Sequence, residues 1–464
     1  MTYEELRYII STFPKYPGTE IIAPAPIIHE GFPGNFNMSF TEYEMIVKGS
    51  GQMLDPHHDY IFSKIQPCIR FNDFLSLDGG EWTGRHLALF DMADVGGLIY
   101  LKDKASEQEN LARHSVQSMC AFLIDTMGFD PKKLKISYFP GGLVSDATAG
   151  KYTFERYISP DPTLKYWFEC GLHHDNFMPE ISRNTFLALN VYGSPTPWGY
   201  RNEIHIEHKG QLWDIGTIEN CAFRPLFNGS REISGITNFN HAVSAGAVGL
   251  ERILIIKNDL ESVNELPKIQ NLTQVVKKYS KTNDPHAEFI IVEGLRCLNI
   301  IFSTCDLFLN LSDRRKEKFK KILSVVKENC FKIGMSIDEC FLSDFLNCIA
   351  LNYKFTPNLN VNRENKIFEI MAVLERAKIP ALNIEKTNDI NLRILTKIKN
   401  IGLDTARIEE RLGLKITHYN KVKLVDKVDL STKTKPELAP TKVQNLIEIV
   451  PPLIRPQSLQ LLAK

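Results

Sequence analysis

The 464-residue chain contains no apolar run near the roughly 20 residues that a membrane-spanning helix needs, so none is expected. Its start, Met1-Thr2-Tyr3-Glu4-Glu5-Leu6, has no basic stretch followed by an apolar one. A secretory signal is therefore not expected, and a cytoplasmic location is. The nine cysteines stand singly, with no Cys-x-x-Cys pair and an odd total. That excludes a disulfide framework or a zinc ribbon and reads as reduced, mostly core thiols. No repeat of fixed period is present, which excludes a solenoid.

Net charge is also missing, since 55 Lys and Arg balance 55 Asp and Glu, but the balance is uneven along the chain. From residue 301 onward 28 Lys and Arg stand against 19 Asp and Glu, which leaves the first 300 residues acidic. A basic later part suits a polyanion such as RNA, and lysines that merely solubilise helices produce the same count.

The length predicts two or three domains. Residues 1–262 read as an α+β domain with an antiparallel sheet flanked by helices, 263–430 as an all-α domain, and 431–464 as a linker or tail. The clearest hairpin is Asn202–His208, the pair Lys209-Gly210, and Gln211–Gly216. Ile204 and Ile206 alternate there with charged or imidazole neighbours. A second hairpin is expected from Ile61–Phe71 through a Gly/Asp-rich loop, 72–83, into Arg85–Ala93. Helical spacing places Val116, Met119, Cys120, Leu123 and Met127 on one face. The same spacing predicts Glu317–Ile333 as a helix capped at Gly334, and a further helix over Lys366–Lys378 that stops before Pro380. The segment Ser431–Lys442 has linker composition.

Candidate chemistry centres on Ser244-Ala245-Gly246-Ala247-Val248-Gly249-Leu250-Glu251-Arg252. Glycine permits close backbone approach to a ligand, a helix N-terminus favours anions, and an arginine forks onto phosphate oxygens. Alone, such a run is most often a tight loop. Arg70, at the end of Gln66-Pro67-Cys68-Ile69-Arg70, is a second cation on a separate element, and two such arginines can clamp the α- and γ-phosphates of one ATP. His57-His58-Asp59 and His173-His174-Asp175 resemble metal ligands, but adjacent residues point in different directions. His205 and His208, three apart on a strand, face opposite sides. No metal site is expected from any of them.

Five blocks follow one family's order and spacing: Gln66–Arg70, Thr83–Met92, Gly193–Ile204, Leu212-Trp213-Asp214, and Gly249–Ile253. Over roughly residues 1–350 the chain resembles the catalytic part of alanyl-tRNA synthetase, a class II aminoacyl-tRNA synthetase. The resemblance implies a class II antiparallel sheet over 1–262 and a tRNA-recognition-like helical domain over 263–430. It implies an enzyme that activates alanine or a related, larger amino acid with ATP and Mg²⁺, then transfers it to tRNA. Arg70 would meet the α-phosphate and the reacting carboxylate, and Arg252 the γ-phosphate. Arg85, Asp91, Met92 and Gly249 complete the implied ATP site. Glu203, Trp213 and Asp214 would lie at the amino-acid pocket. Arg314, Arg315, Lys318 and Lys321 would face the tRNA acceptor stem.

The departures from the family are specific. The acid that pairs with the substrate ammonium is replaced at Ser244-Ala245, a pocket tryptophan by Leu187, and a valine by Gly216. Asp214 stands where asparagine is usual, and Phe74 where a lysine follows the first arginine. Smaller walls leave room for a larger side chain. The family's paired His-x-x-x-His and Cys-x-x-x-His zinc set does not occur, so proofreading is not expected. Two alternatives follow. One is a biosynthetic paralogue that passes the acyl group to a non-tRNA acceptor. The other is an inactive synthetase-like binding or regulatory protein.

Overall fold

The computed structural model describes residues 1–28, 34–40, 58–78, 84–188, 196–229, 232–304 and 312–352. All of them fall within one compact unit, Met1–Ile398. The expected helix 366–378 and linker 431–442, residue 57, and parts of the blocks at 83 and 193–195 lie outside the described residues.

The architecture is α+β, a large mixed sheet flanked by helices. The strands are β1 Glu20–Ile21, β2 Tyr60–Ser63, β3 Ile65–Ile69, β4 Leu89–Leu101, β5 Leu134–Tyr138, β6 Gly142–Leu143 and β7 Tyr157–Ile158. They continue as β8 Phe177–Pro179, β9 Phe186–Ala188, β10 Trp198–His208, β11 Gln211–Phe227, β12 Ile233–Asn238 and β13 Ala242–Gly249. The main path runs β1-β2-β4-β13-β11-β10-β5-β8, with β3 beside β4, β9 beside β10 and β12 beside β11. The central strands β4, β13, β11 and β10 are antiparallel, and parallel pairs occur only toward the two edges, β1–β2 and β5–β8, among the described strands.

The β10–β11 hairpin forms as the alternation predicts. Ile204 and Ile206 are buried, and His208 pairs with Gln211 across the turn. Lys209 and Gly210 both have positive φ, 50° and 73°, the geometry whose twist matches a two-residue hairpin. The second expected hairpin is present as the β3–β4 pair, but its connection is not a plain loop. After helix α1, Tyr3–Thr12, residues Phe71–Asp78 form helix α2 within that connection. Asp73 in the first turn complements the helix dipole, and fully buried Phe74 packs beside Gly294, so tertiary packing overrides the loop-like composition.

Helix α3, Gln108–Cys120, covers the back of the central strands, with Val116, Met119 and Cys120 buried as the spacing predicts. Its Ser115 hydroxyl lies 2.6 Å from that of Ser244, and Ser244 donates to Asn220 at 2.8 Å. The expected helix ending at Gly334 runs Asp313–Lys332, its face Phe319, Ile322, Leu323, Val326 and Cys330 is buried, and Gly334 has φ +63°. No helix among the described residues is long and apolar enough to cross a membrane.

The register of β4 on β13 skips between Ala245 and Ala247, where Gly96 and Gly97 take φ 144° and 114°. This bulge bends the sheet. Asp94 braces it by accepting from the Gly97 amide at 2.9 Å, although its carboxylate is fully buried. Burial raises the Asp94 pKa to about 7 against the opposing pull of Ser63 and Lys15. The folded chain then holds more protons than the unfolded chain between the ordinary carboxylate range and pH 7, so the stability cost of Asp94 grows as pH rises through that window. Asp94→Asn is expected to stabilise the protein by on the order of 2 kcal/mol at pH 8 and by little at pH 5. Urea denaturation at the two pH values checks this, and equal effects at both would contradict it.

Candidate functional site

One face of the central sheet opens into a cavity of about 480 Å³. Its floor is built from strand positions that share a face. Arg201, Glu203 and His205 come from β10, and Thr217 and Glu219 lie opposite on β11. Phe90 and Met92 come from β4, and Ala247 and Gly249 from β13. Gly249 then caps helix α4, Leu250–Lys257. Leu250, Ile253, Leu254 and Ile255 anchor that helix in the core, each burial contributing about 1.5–3 kcal/mol. This fixes Arg252 at the cavity wall.

A bulge aims the acidic groups. Ile204 pairs with Gly216 and His205 with Asp214, so Ile215 is the extra residue on β11. The alternation of β11 reverses there, and Asp214, Thr217 and Glu219 all line the same cavity. Gly216 is required by close approach, since a Cβ would lie 2.6 Å from the Ala247 carbonyl oxygen.

The charges are arranged in sets. Arg252 Nη1 donates to Asp214 Oδ2 at 2.5 Å and to the Asp214 carbonyl at 2.6 Å. Arg201 Nη2 lies 2.6 Å from Glu203 Oε1, and its Nε lies 3.5 Å from Glu219 Oε1. Arg70 lies over the Phe90 ring at 5.1 Å, and Arg85 over the Trp213 ring at 5.3 Å while donating to the Leu212 carbonyl. Burial lifts Glu203 to about 7; Arg201 pulls it down, and Asp214 and Glu219 push it further up. Burial lowers the Arg85 and His205 pKa values, and in both cases Arg252 adds to the shift. Arg201 is the reverse case, because Glu203, Glu219 and Asp214 outweigh burial and raise it.

Of the residues singled out in the sequence, Arg70, Arg85, Met92 and Glu203 line the cavity, as do Asp214, Gly216, Gly249 and Arg252. Four do not. Asp91 points away from the cavity, where burial and neighbouring Glu251 raise its pKa to about 7. Leu187 sits on β9 beside Gly199, off the cavity wall. Trp213 is buried behind Asp214 and reaches the site only through Arg85. Ala245 belongs to a buried hydrophobic cluster that includes Phe40, Tyr60 and Phe62.

The basic helix divides. Arg314 and Lys321 are exposed, whereas buried Arg315 donates to the Asn35 carbonyl at 2.8 Å and Lys318 donates to the Asn35 side chain. His58, His173 and His174 do not line the cavity. Asp59 accepts from the Lys102 amide and pairs with Lys104, and His174–Asn176 forms a short turn. His208 bonds the Leu260 carbonyl, away from cavity-facing His205.

Two residues that shape the site escaped sequence reading. Glu293, fully buried, accepts from the Ala88 and Leu89 amides at 2.7 and 3.3 Å and pairs with Arg296. Glu251 accepts from the Asp91 amide at 3.0 Å and pairs with Lys268 at 2.5 Å. The only sequence signal was their charge at otherwise apolar helix positions. Arg201 and His205 were legible in principle, two residues either side of Glu203 on one strand.

The cavity thus gathers the guanidinium groups of Arg70, Arg85, Arg201 and Arg252, an aromatic and sulfur-bearing wall, and the carboxylates of Glu203, Asp214 and Glu219. Compared with protein-family models and with curated proteins, the sequence matches none.

Glu293→Ala is expected to destabilise the protein by about 3 kcal/mol, because it leaves a buried guanidinium without its carboxylate and two strand amides without their acceptor. Urea denaturation measures this, and a loss below about 1 kcal/mol would show the clasp to be dispensable.

Proposed function

We propose that the cavity activates an amino acid with ATP to form an aminoacyl-adenylate, as the resemblance to the alanyl-tRNA synthetase catalytic part and to class II enzymes implies. The observation that carries the reading is the convergence of Arg70 and Arg252, 182 positions apart in the chain, on one cavity that also holds Phe90 and Met92. Arg70 follows β3 and its amide bonds the Ala88 carbonyl at 3.0 Å, while Arg252 rides the first turn after β13. Such a pair meets the phosphates from two sides, and the Phe90–Met92 wall suits a purine face.

In the reaction a carboxylate oxygen of the amino acid attacks the α-phosphorus. A new P–O bond forms, the bond from the α-phosphorus to the bridging oxygen breaks, and pyrophosphate leaves with the electron pair. The carboxylate is already ionised, so no general base is needed. Arg70 stabilises charge that develops at the α-phosphate, and Arg252 orients the departing end. Near the phosphate end Asp214 is engaged by Arg252 and Glu251 by Lys268. No cluster of three metal-ligating groups occurs among the described residues. Mg²⁺ bound to the nucleotide phosphates would supply charge neutralisation for the leaving pyrophosphate.

Transfer to tRNA is the second step that the resemblance implies. A non-tRNA acceptor is favoured by one observation, that Arg315 and Lys318 of the basic helix are spent on Asn35. Charging assays with total tRNA, beside mass spectrometry of small-molecule products, separate the two.

ATP–pyrophosphate exchange over the twenty amino acids, with and without tRNA, tests the first step. Exchange is expected with at least one amino acid, and Arg70→Ala and Arg252→Ala should each lower kcat/KM at least about 100-fold. Absence of exchange under every condition would overturn the enzymatic reading and leave a binding protein.

A further inference from the structure

Consecutive residues of β11 hold two of the arginines that line the cavity. The Leu212 carbonyl accepts from Arg85, and the Trp213 ring lies against the same guanidinium at 5.3 Å. Asp214 holds Arg252 twice, because Nη1 donates to its carboxylate at 2.5 Å and to its carbonyl at 2.6 Å. Burial and Arg252 disfavour the charge on Arg85, and Asp214 favours it. One carboxylate thus serves two guanidinium groups.

This contact differs from the sealed ion pairs of the scaffold. The Glu251 and Lys268 side chains are only 3% and 8% exposed, whereas that of Asp214 is 39% exposed and that of Arg252 21%. Both members of the open pair line the cavity. An ion pair so open to water is worth little and breaks readily. The Asp214 carbonyl already orients Nη1, so the carboxylate contributes charge more than position. A phosphate that enters beside Arg252 seeks the same guanidinium, and a second anion held against it is unfavourable.

We propose that Asp214 is a specificity-determining residue that stands in for the terminal phosphate in the ligand-free site and competes with it for Arg252. The inference rests on the adenylate-forming reading and deepens it. Without ligand, the carboxylate balances Arg85 and Arg252. When a nucleoside triphosphate binds, its γ-phosphate takes Arg252 and Asp214 gives it up. After the bond from the α-phosphorus to the bridging oxygen has broken, Asp214 reclaims Arg252 and promotes release of pyrophosphate. The hold on a triphosphate is therefore weakened, and the hold on a monophosphate is not.

Calorimetry on the full chain with Mg²⁺ tests this by comparing AMP with α,β-methylene-ATP, which cannot break at the reacting bond. Asp214→Asn removes the charge and keeps an acceptor of the same shape. This variant is expected to bind the triphosphate analogue at least about tenfold more tightly and AMP within about twofold of the unmodified protein. Asp214→Ser, a second neutral variant, should move the analogue in the same direction, and Asp214→Glu, which keeps the charge, should give no gain. In ATP–pyrophosphate exchange the KM for ATP of Asp214→Asn should fall at least about fivefold. Unchanged or weaker binding of the analogue by both neutral variants, or an equal gain for AMP, overturns the assignment while leaving the adenylate site standing. Failure of both nucleotides to bind the unmodified protein and every variant overturns the adenylate-forming reading as well.

Discussion

Two buried carboxylates, each carried by a helix, hold the first residues of β4, and the site depends on that clasp. Backbone amides taken out of water must find acceptors. Glu293 supplies one for Ala88 and Leu89, and Glu251 one for Asp91. Neither carboxylate is tolerable in a protein interior alone, and each is matched by a buried cation, Arg296 and Lys268. The same strand start sets Arg70, whose amide bonds the Ala88 carbonyl, and presents Phe90 beneath its guanidinium. The helix that begins at Pro285 is consequently part of the site's scaffold, since moving Glu293 would shift the strand on which Arg70 leans.

Local pattern carried much of the fold. The β10–β11 hairpin, its positive-φ turn, the buried face of Gln108–Cys120 and the glycine stop at 334 all follow from periodicity and turn chemistry that act within a few residues. Where pattern failed, a distant contact decided. Residues 72–78 read as loop because Asn72, Asp73 and Asp78 punctuate them, yet Phe74 is packed beside Gly294, more than two hundred positions away.

The site was legible in the same uneven way. Arg70, Arg252, Glu203 and Asp214 could be found because each sits in a short stretch with its own signature. Glu219 could not, because period-two alternation from Asp214 assigns it to the opposite face. The extra residue Ile215 reverses the parity, and nothing in the local sequence marks the bulge except Gly216. Asp91 and Trp213 show the converse, members of matched stretches that do not line the cavity.

Volume and charge make separate contributions to what the cavity admits. Smaller residues at 187 and 216 suggested a roomier pocket, but Leu187 is off the wall and Gly216 lies where a Cβ would strike the backbone of β13. That glycine brings two strands together; it does not open a hole. The cavity, at about 480 Å³, is of ordinary size for a small-molecule site. One methylene in such a pocket discriminates by only about 1–3 kcal/mol, whereas an unmatched charge away from water costs more. The charged groups Arg201, Glu203 and Glu219 therefore weigh more on what the cavity can hold than the size of its walls does.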